Sequence, residues 1–163
     1  MSNRYLYKAK RTDNGEWVEG YYCPKKTGHY ENGKFIEGIQ HIIIVKMTGG
    51  GYQYAVVDPS TICQCTGLKD RNGKLIWEND IVKFEDTGEE GYEYKECFDY
   101  INRAKVVWNK GRFELDSFLS NNSGTLELMN SSPEEFYDMF EEYAEVIGSA
   151  IDNPELLEGV QNE

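Results

Sequence analysis

Four carboxylates lie close together in the sequence and could bind a divalent metal ion. They are Asp58, Asp70, Glu78 and Asp80. Carboxylate oxygens are the ligands that Mg²⁺ and Ca²⁺ prefer, and clustered carboxylates hold the metal in metal-dependent hydrolases. Their spacing fixes no mutual geometry, however, and no histidine stands near them as a general base. A metal-dependent hydrolase is one hypothesis for these residues. The alternative is that the acids accept hydrogen bonds from turn amides, as Asp commonly does.

The cysteines suggest a second kind of metal site. Cys63 and Cys65, two positions apart, would point to one face of a strand, and Cys23 and His41 could complete a set of four zinc ligands. Structural zinc sites prefer two to four residues between paired cysteines, so this spacing is a weak match. Buried thiols, reduced in a cytosolic protein together with Cys97, explain the same residues. We therefore predict no metal and no cofactor.

Nucleophilic catalysis finds no motif in the chain. There is no G-x-S-x-G segment, and neither His29 nor His41 stands in a recognisable relation to a nucleophile. The glycine run 49–51 lacks the Lys-Ser/Thr pair and the helix of a phosphate-binding loop. These patterns predict a protein that is not an enzyme.

Charge is distributed unevenly along the 163 residues. The chain has 17 Lys or Arg and 29 Asp or Glu, a net charge of −12. Residues up to Phe84 carry 12 basic and 9 acidic side chains, whereas residues from Glu85 onward carry 5 and 20. Such a balance disfavours nonspecific binding to nucleic acid or to anionic membranes. The acidic half is either a solvated surface or a face that meets a basic partner.

The N-terminal half offers the opposite combination, basic groups interleaved with aromatic ones. These ingredients suit stacking on single-stranded nucleic acid. The overall charge disfavours this alternative, since it would repel the phosphate backbone. The residues concerned are Arg4, Lys8, Lys10, Arg11, Trp17, Lys25 and Lys26.

Short β-branched and aromatic runs, separated by Asn-Gly turns, predict a mainly β fold of antiparallel strands. One hairpin is expected to join 5–11 to 16–22 through the turn at Asn14-Gly15, and a second Asn-Gly turn stands at 32–33. Strands at 40–46 and 52–58 flank the glycine run 49–51. Because proline has no N–H to donate, Asp58-Pro59 marks the predicted end of an N-terminal β unit, residues 1–58.

Residues 59–157 are predicted to form a second β unit. Its strands are expected at 62–66, 74–77, 81–84, 103–108, 112–115 and 125–129. The acidic, glycine-containing segment 85–100 is predicted to be a long loop. Ser132-Pro133 followed by Glu135 predicts a capping box and a helix over 133–144, with Phe136, Met139, Phe140 and Tyr143 as its apolar stripe. Strand character returns at 146–147, a helical turn is expected at 153–157, and 158–163 is expected to be a frayed tail.

Three separated segments resemble the YopX family, small proteins encoded by bacteriophages and prophages of Gram-positive bacteria. The segment 65–82 is similar to the family pattern TGL.D.NG..IYEGDIV, and 145–157 is similar to EVIGNIYENPELL. The start, 7–21, also looks like the family's usual beginning. The departures are Trp77 for Tyr, Asn79 for Gly and Ser149-Ala150 for Asn-Ile. Asn tolerates the left-handed conformation, so the turn at Asn79 is expected to survive.

The resemblance implies a mainly β fold whose second half is an SH3-like small barrel, and it implies no activity. In that fold the signature residues are expected to build turns and core, with Asp70 and Asp80 capping turn amides. These residues are Gly67, Leu68, Asp70, Asn72, Gly73, Glu78, Asp80, Ile81, Val82, Gly148, Asn153 and Pro154.

Together, these features predict a non-enzymatic phage or prophage accessory protein that binds a host or phage protein through an acidic surface. The predicted partner-binding residues are Glu85, Asp86, Glu89, Glu90, Tyr92, Glu93 and Tyr94. No apolar run approaches the ~20 residues of a membrane span, and Met1–Tyr5 lacks the apolar core of a signal peptide. We therefore expect the bacterial cytoplasm and no membrane partner. Exposed β edges also permit a homo-oligomer.

Overall fold

The computed structural model describes residues 5–89 and 97–158. Their secondary structure is mainly β, with two helices, which confirms the predicted fold class. The chain forms two compact units that divide between Cys65 and Thr66. The sequence placed this boundary at Asp58–Pro59, where a short 3₁₀ turn, Pro59–Thr61, follows. Strand pairing in the first unit continues beyond that turn, because Cys63 lies opposite Lys8.

The first unit is an antiparallel sheet with the strand order β4-β3-β2-β1-β5. Its strands are β1 (Tyr7–Lys10), β2 (Trp17–Glu31), β3 (Lys34–Lys46), β4 (Tyr52–Val56) and the first residues of β5 (Cys63–Lys69). The predicted hairpin of β1 and β2 is present, with Tyr7 opposite Gly20. The small core contains Ala9, Ile43, Ala55 and Val57.

The Asn-Gly turn between β2 and β3 has the geometry that the sequence predicts. Asn32 and Gly33 have φ values of 48° and 75°, and Glu31 lies opposite Lys34. Two consecutive positive φ values define the turn that matches the natural twist of a two-residue hairpin. The strands that it joins are longer than predicted, because the pairing runs without a break from Tyr21–Ile44 to Glu31–Lys34.

The second unit contains a four-stranded antiparallel sheet with the order β10-β7-β8-β9. It consists of β7 (Asp80–Glu89), β8 (Cys97–Asn109), β9 (Arg112–Asp116) and β10 (Glu145–Ser149). The short strand β6 (Leu75–Trp77) is not part of this sheet and pairs with β5. Helices α1 (Gly124–Ser131) and α2 (Pro133–Tyr143) contribute Met129, Phe136 and Phe140 to its core, which also contains Phe84, Val106 and Leu115. The arrangement of these strands as an SH3-like barrel remains a prediction.

The predicted loop over 85–100 is wrong at both ends. Strand β7 continues to Glu89 and β8 begins at Cys97, with Glu85 opposite Ile101 and Asp86 opposite Tyr100. The acidic composition of this segment predicts a solvated loop. The Asp86 side chain is instead buried and accepts hydrogen bonds from the protein.

The predicted strand over 125–129 is also wrong, because these residues lie in α1. Ser123 caps this helix by accepting a hydrogen bond from the Leu126 N–H at 3.0 Å, and Asp86 accepts one from the Thr125 N–H at 3.0 Å. These two side chains satisfy N–H groups of the first turn, which outweighs the alternating pattern of the sequence.

Helix α2 begins at Pro133 as predicted and ends at Tyr143. Ser132 occupies the N-cap position, but its side chain makes no capping hydrogen bond. Its backbone N–H instead donates to the Leu128 carbonyl at 2.8 Å and so ends α1. The capping box is therefore incomplete, since one residue serves both helices.

Candidate functional site

Asp70 holds the turn between β5 and β6 and also contacts the C-terminal signature segment. Its Oδ1 accepts hydrogen bonds from the N–H groups of Asn72 and Lys74, each at 2.9 Å. Its Oδ2 accepts one from the Val146 N–H at 3.1 Å. Burial would raise the pKa of Asp70, but these three backbone donors outweigh it and lower that pKa. Asp70 is therefore a structural carboxylate that joins two segments distant in sequence.

The turn between β6 and β7 is organised by Asp80. Its Oδ2 accepts a hydrogen bond from the Trp77 N–H at 2.9 Å. Asn79 has a φ of 63°, so it adopts the left-handed conformation that the family's usual glycine would adopt. Glu78 completes the turn, and the signature residues Ile81 and Val82 are fully buried in the strand that follows.

The remaining signature residues also serve turns and close packing. Gly148 follows a bulge in β10, and a Cβ atom at this position would lie 2.8 Å from Cδ1 of Leu156 and 2.9 Å from Oδ1 of Asn153. Pro154 begins a 3₁₀ turn, Pro154–Leu157, as predicted. Positive φ angles occur at Gly67 and Gly73, and Leu68 packs against the core of the second unit.

The candidate metal ligands do not converge within the described residues. In 5–89 and 97–158, no three His, Cys, Asp or Glu side chains are placed to hold a metal ion. Asp58, in the first unit, caps the turn that follows it by accepting from the Ser60 N–H at 2.9 Å. Cys63 and Cys65 are buried thiols, and the Cys63 Sγ donates a hydrogen bond to the Thr61 carbonyl at 3.4 Å. Nδ1 of His41 lies 2.6 Å from the hydroxyl oxygen of Tyr22.

Asp86 is the centre of a buried polar cluster that sequence reasoning missed. Its Oδ1 accepts from the N–H groups of Thr87 (2.9 Å) and Thr125 (3.0 Å), and its Oδ2 accepts from Nδ2 of Asn102 (2.8 Å) and from the Ser123 hydroxyl. Burial would raise the pKa of Asp86, but the hydrogen bonds from Ser123, Asn102 and Thr125 outweigh it and lower that pKa. The carboxylate is thus held ionised beside the first turn of α1.

Asn102 extends this cluster to the segment that precedes α1. Its side chain is fully buried, and its Nδ2 also donates to the Ser120 carbonyl at 2.9 Å. Its Oδ1 accepts from the N–H groups of Ser120 (3.1 Å) and Arg103 (2.9 Å). An isolated Asn gives no sign of this role, because its partners Asp86 and Ser120 lie on other segments of the chain.

An open groove of about 330 Å³ lies over this cluster, between the end of β7 and the two helices. It has a carboxylate-bearing side, formed by Glu85 and Asp86, and an apolar side, formed by Leu128, Met139 and Tyr143. The complete lining consists of Glu85, Asp86, Thr87, Gly124, Thr125, Leu128, Met139 and Tyr143. Hereafter this feature is called the acidic groove.

Two acidic side chains, Glu85 and Glu142, act on Tyr143 at the rim of the acidic groove. A hydrogen bond to Glu142, the charge of Glu142 and the charge of Glu85 all raise the pKa of the Tyr143 hydroxyl, because they oppose its ionisation. Tyr143 is 45% exposed, although the sequence predicts it as part of the buried stripe of α2. Its ring is therefore available at the edge of the groove.

The predicted partner-binding residues are only partly described. Glu85 is exposed at the groove, whereas Asp86 is 4% exposed and occupied by hydrogen bonds, so it is not the open surface residue that the sequence predicts. Glu89 ends β7, and its side chain lies outside the described part of the chain. Glu90, Tyr92, Glu93 and Tyr94 also lie outside the described residues.

Some of the basic and aromatic residues predicted to bind nucleic acid lie close together in the first unit. The Nζ atoms of Lys8 and Lys10 lie 5.2 Å and 5.6 Å from the ring centroid of Trp17. Arg11 forms an ion pair with Asp13 at 2.6 Å. Of the other predicted residues, Lys25 and Lys26 are exposed on β2, and Arg4 lies outside the described residues.

Comparisons with known proteins identify the family of this chain. A family model described as YopX protein matches residues 6–158. The chain is similar in structure to the crystal structure of protein EF1440 from Enterococcus faecalis, at 22% identity and a TM-score of 0.43, over 93% of this chain and 96% of that one. None of the curated proteins compared with the chain matches it. Among the described residues, no helix has the length and apolar character needed to cross a membrane. Because the family model matches nearly the whole chain, the chain belongs to the YopX protein family.

Proposed function

We propose that this protein acts without catalysis, by binding a basic segment of a partner protein in the acidic groove. The observation that carries the proposal is the pairing of a negative rim with an apolar side in one open groove, at Glu85 and Tyr143. The partner is a host or phage protein, and binding takes place in the bacterial cytoplasm. The resemblance to proteins encoded by bacteriophages and prophages supports this setting.

The chemistry of Asp86 supports binding over catalysis. A general acid or base needs a pKa near the working pH and a free position for the proton that it transfers. Four donors at hydrogen-bond distance already occupy the Asp86 carboxylate, and its pKa is lowered. Asp86 therefore shapes the floor of the groove, and the exposed Glu85 supplies charge to a ligand.

The lining indicates which side chain the groove suits. A Lys or Arg residue has an aliphatic stem that can pack on Leu128 and Met139 while its charged end stays near water and near Glu85. The half-exposed ring of Tyr143 offers a face for a cation–π contact with the same charged end. A basic residue next to an apolar one is thus the ligand chemistry that the groove fits.

Helix α2, which contributes Met139 and Tyr143 to the groove, carries acidic residues on several of its sides. Five of its eleven residues are Asp or Glu, and all five are exposed. Such a field accelerates the encounter with a basic partner and is weakened by salt, since the screening length at physiological ionic strength is about 8 Å. The five residues are Glu134, Glu135, Asp138, Glu141 and Glu142.

A peptide-binding assay tests this proposal. Fluorescently labelled peptides with Arg or Lys beside Leu or Phe are titrated with the full chain at about 50 and about 300 mM NaCl. The doubly neutralised variant Glu85→Gln/Glu142→Gln should weaken binding about tenfold and reduce the salt dependence, because it removes rim charge and leaves the core intact. The matched control is Glu155→Gln/Glu158→Gln, which removes two exposed acids outside the groove lining. Equal effects of the two double variants, or binding that does not respond to salt, would contradict the proposal.

Nucleic-acid binding by the first unit is the second candidate. The two lysines over the Trp17 ring bring positive charge to an aromatic face, which is the combination that stacks on single-stranded bases. A gel-shift series with single- and double-stranded DNA and RNA at low salt separates the two candidates. A shift that Trp17→Ala abolishes would favour this second function, whereas the acidic-groove variants should leave it unchanged.

A further inference from the structure

Strands β2 and β3 extend beyond the sheet of the first unit as a two-stranded ribbon. The ribbon comprises residues 25–31 and 34–40, paired from Lys25–Gln40 to Glu31–Lys34. Every residue of the ribbon except Gln40 is exposed, and no third strand pairs with it in the described part of the chain. A two-stranded hairpin is marginally stable in water by itself. With 3.4 Å per residue the ribbon is about 24 Å long, and both of its faces are open to solvent.

One face of the ribbon carries three large, exposed apolar side chains and two charged ones. Residues directly opposite each other in an antiparallel pair share a face, so Lys26 lies beside Ile39, Gly28 beside Glu37, and Tyr30 beside Phe35. The exposed fractions of Tyr30, Phe35 and Ile39 are 77%, 54% and 62%. Five of these six residues line a shallow groove of about 400 Å³, and Tyr30 lies next to it. Hereafter this surface is called the ribbon face.

Gly28 leaves room for an aromatic ring on the ribbon face. A Cβ atom on Gly28 would lie 2.2 Å from Cζ of Phe35, so the ring lies directly over the glycine. The rings of Phe35 and Tyr30 have centroids 5.2 Å apart in a tilted arrangement. An aromatic ring over a strand glycine is a known way of stabilising such a strand.

We propose that the ribbon face is the interface with a second copy of this chain. The charges at its edges favour this occupant, because the face has one base, Lys26, and one acid, Glu37. A purely basic partner would place like charge against Lys26, and a purely acidic partner would place like charge against Glu37. A two-fold axis that passes midway between Lys26 and Glu37 would bring Lys26 of each copy to Glu37 of the other, because a two-fold interface repeats every contact in both directions.

The size of the ribbon face fits the same conclusion. With a total area of roughly 200 Å² for each large side chain, the three exposed fractions leave roughly 400 Å² of accessible surface per chain. Two copies would bury roughly 800 Å² from these three side chains alone. The flanking polar residues bring the total toward the roughly 1,200 Å² at which specific interfaces begin. Repulsion is small, because residues 1–65 have eight Lys or Arg against six Asp or Glu.

Sedimentation equilibrium of the full chain at about 1 to 100 µM tests this proposal. The wild-type chain should form a dimer, and Lys26→Glu and Glu37→Lys should each weaken it at least about tenfold, because each opposes like charges across the axis. An equimolar mixture of the two variants should restore a mixed dimer, since two carboxylates of one copy then face two ammonium groups of the other. Ile39→Ser should weaken the dimer through lost apolar area, whereas Tyr54→Ser, an exposed aromatic of β4, should leave it unchanged.

All four positions are exposed, so far-UV circular dichroism should be the same for every variant. A wild-type chain that is monomeric at about 100 µM overturns the proposal. A dimer that the ribbon variants do not weaken, or weakened variants that fail to pair in the mixture, also overturns it. None of these results tests the acidic groove, because the peptide-binding assay concerns a different surface.

Discussion

Replacing Asp70 with Ala should destabilise the second unit more than any other single change at a turn of the family signature. Asp70 is 4% exposed, and its carboxylate accepts three backbone hydrogen bonds, two from its own turn and one from Val146 of β10. The alanine variant leaves all three N–H groups without that acceptor. The turn and the pairing of β10 with β7 are then weakened together.

The expected loss can be worked from these three bonds. Each turn amide resembles a helix N-cap bond, whose loss costs about 1 kcal/mol, because water can partly replace the carboxylate there. The Val146 N–H is half-buried, and a buried donor without a partner costs about 1 to 3 kcal/mol. The free energy of unfolding should therefore fall by about 3 to 5 kcal/mol. Asp70→Asn should lose about 2 kcal/mol, since it keeps an oxygen for the turn but places an NH₂ group against the Val146 N–H.

Urea unfolding followed by tryptophan fluorescence measures this loss, because Trp77 is buried in the second unit. Asp116→Asn is the matched control, since it removes the same charge at an exposed position and should change stability by less than about 0.5 kcal/mol. A loss of less than about 1 kcal/mol for Asp70→Ala would refute the reasoning. So would a ranking in which the Asn variant is the less stable of the two.

Two further predictions concern acid stability and close packing. The pKa of Asp86 is lowered in the folded state, so on acidification the unfolded chain binds this proton at a higher pH than the folded chain does. The ionised Asp86 carboxylate therefore stabilises the fold above pH ~4, and this stabilisation is lost as the pH falls through the folded pKa. Urea midpoints measured from pH 7 to about 3 should fall less steeply for Asp86→Asn than for wild type, and parallel curves would contradict this. Gly20→Ala should cost about 1 to 3 kcal/mol, because its Cβ would lie 2.2 Å from the backbone carbonyl oxygen of Ile44, which cannot move aside as a side chain can. Gly38→Ala, which meets no atom closer than 3.3 Å, is its control in thermal unfolding, and an equal loss in both would refute the packing argument.

The sequence predicts those features of the fold that depend on local geometry. Asn32-Gly33 forms a two-residue hairpin turn because both residues readily adopt the positive φ angles that this turn requires. Pro133 begins α2 for a similar reason, since its fixed φ and missing N–H suit the first helical position. Such signals need no knowledge of the rest of the chain.

The candidate site could not be predicted in the same way, because Asp86 depends on partners that are distant in sequence. It lies 39 residues from Thr125 and 16 from Asn102, and no local pattern links them. The Thr125–Met129 alternation favours a strand until Asp86 and Ser123 satisfy the first turn of a helix. The acids of 85–89 likewise indicated a loop, since composition does not distinguish a buried carboxylate from a solvated one.

The bond between Asp70 and Val146 has a consequence for synthesis on the ribosome. The two residues are 76 positions apart, so at about 5 to 20 residues per second the Asp70 turn emerges about 4 to 15 s before its last partner. Strand β7 waits somewhat less, since Val82 lies opposite Val146, 64 positions later. During this interval the nascent chain exposes an unpaired strand edge, and a pause in translation between the two signature segments would prolong its exposure to chaperones and proteases.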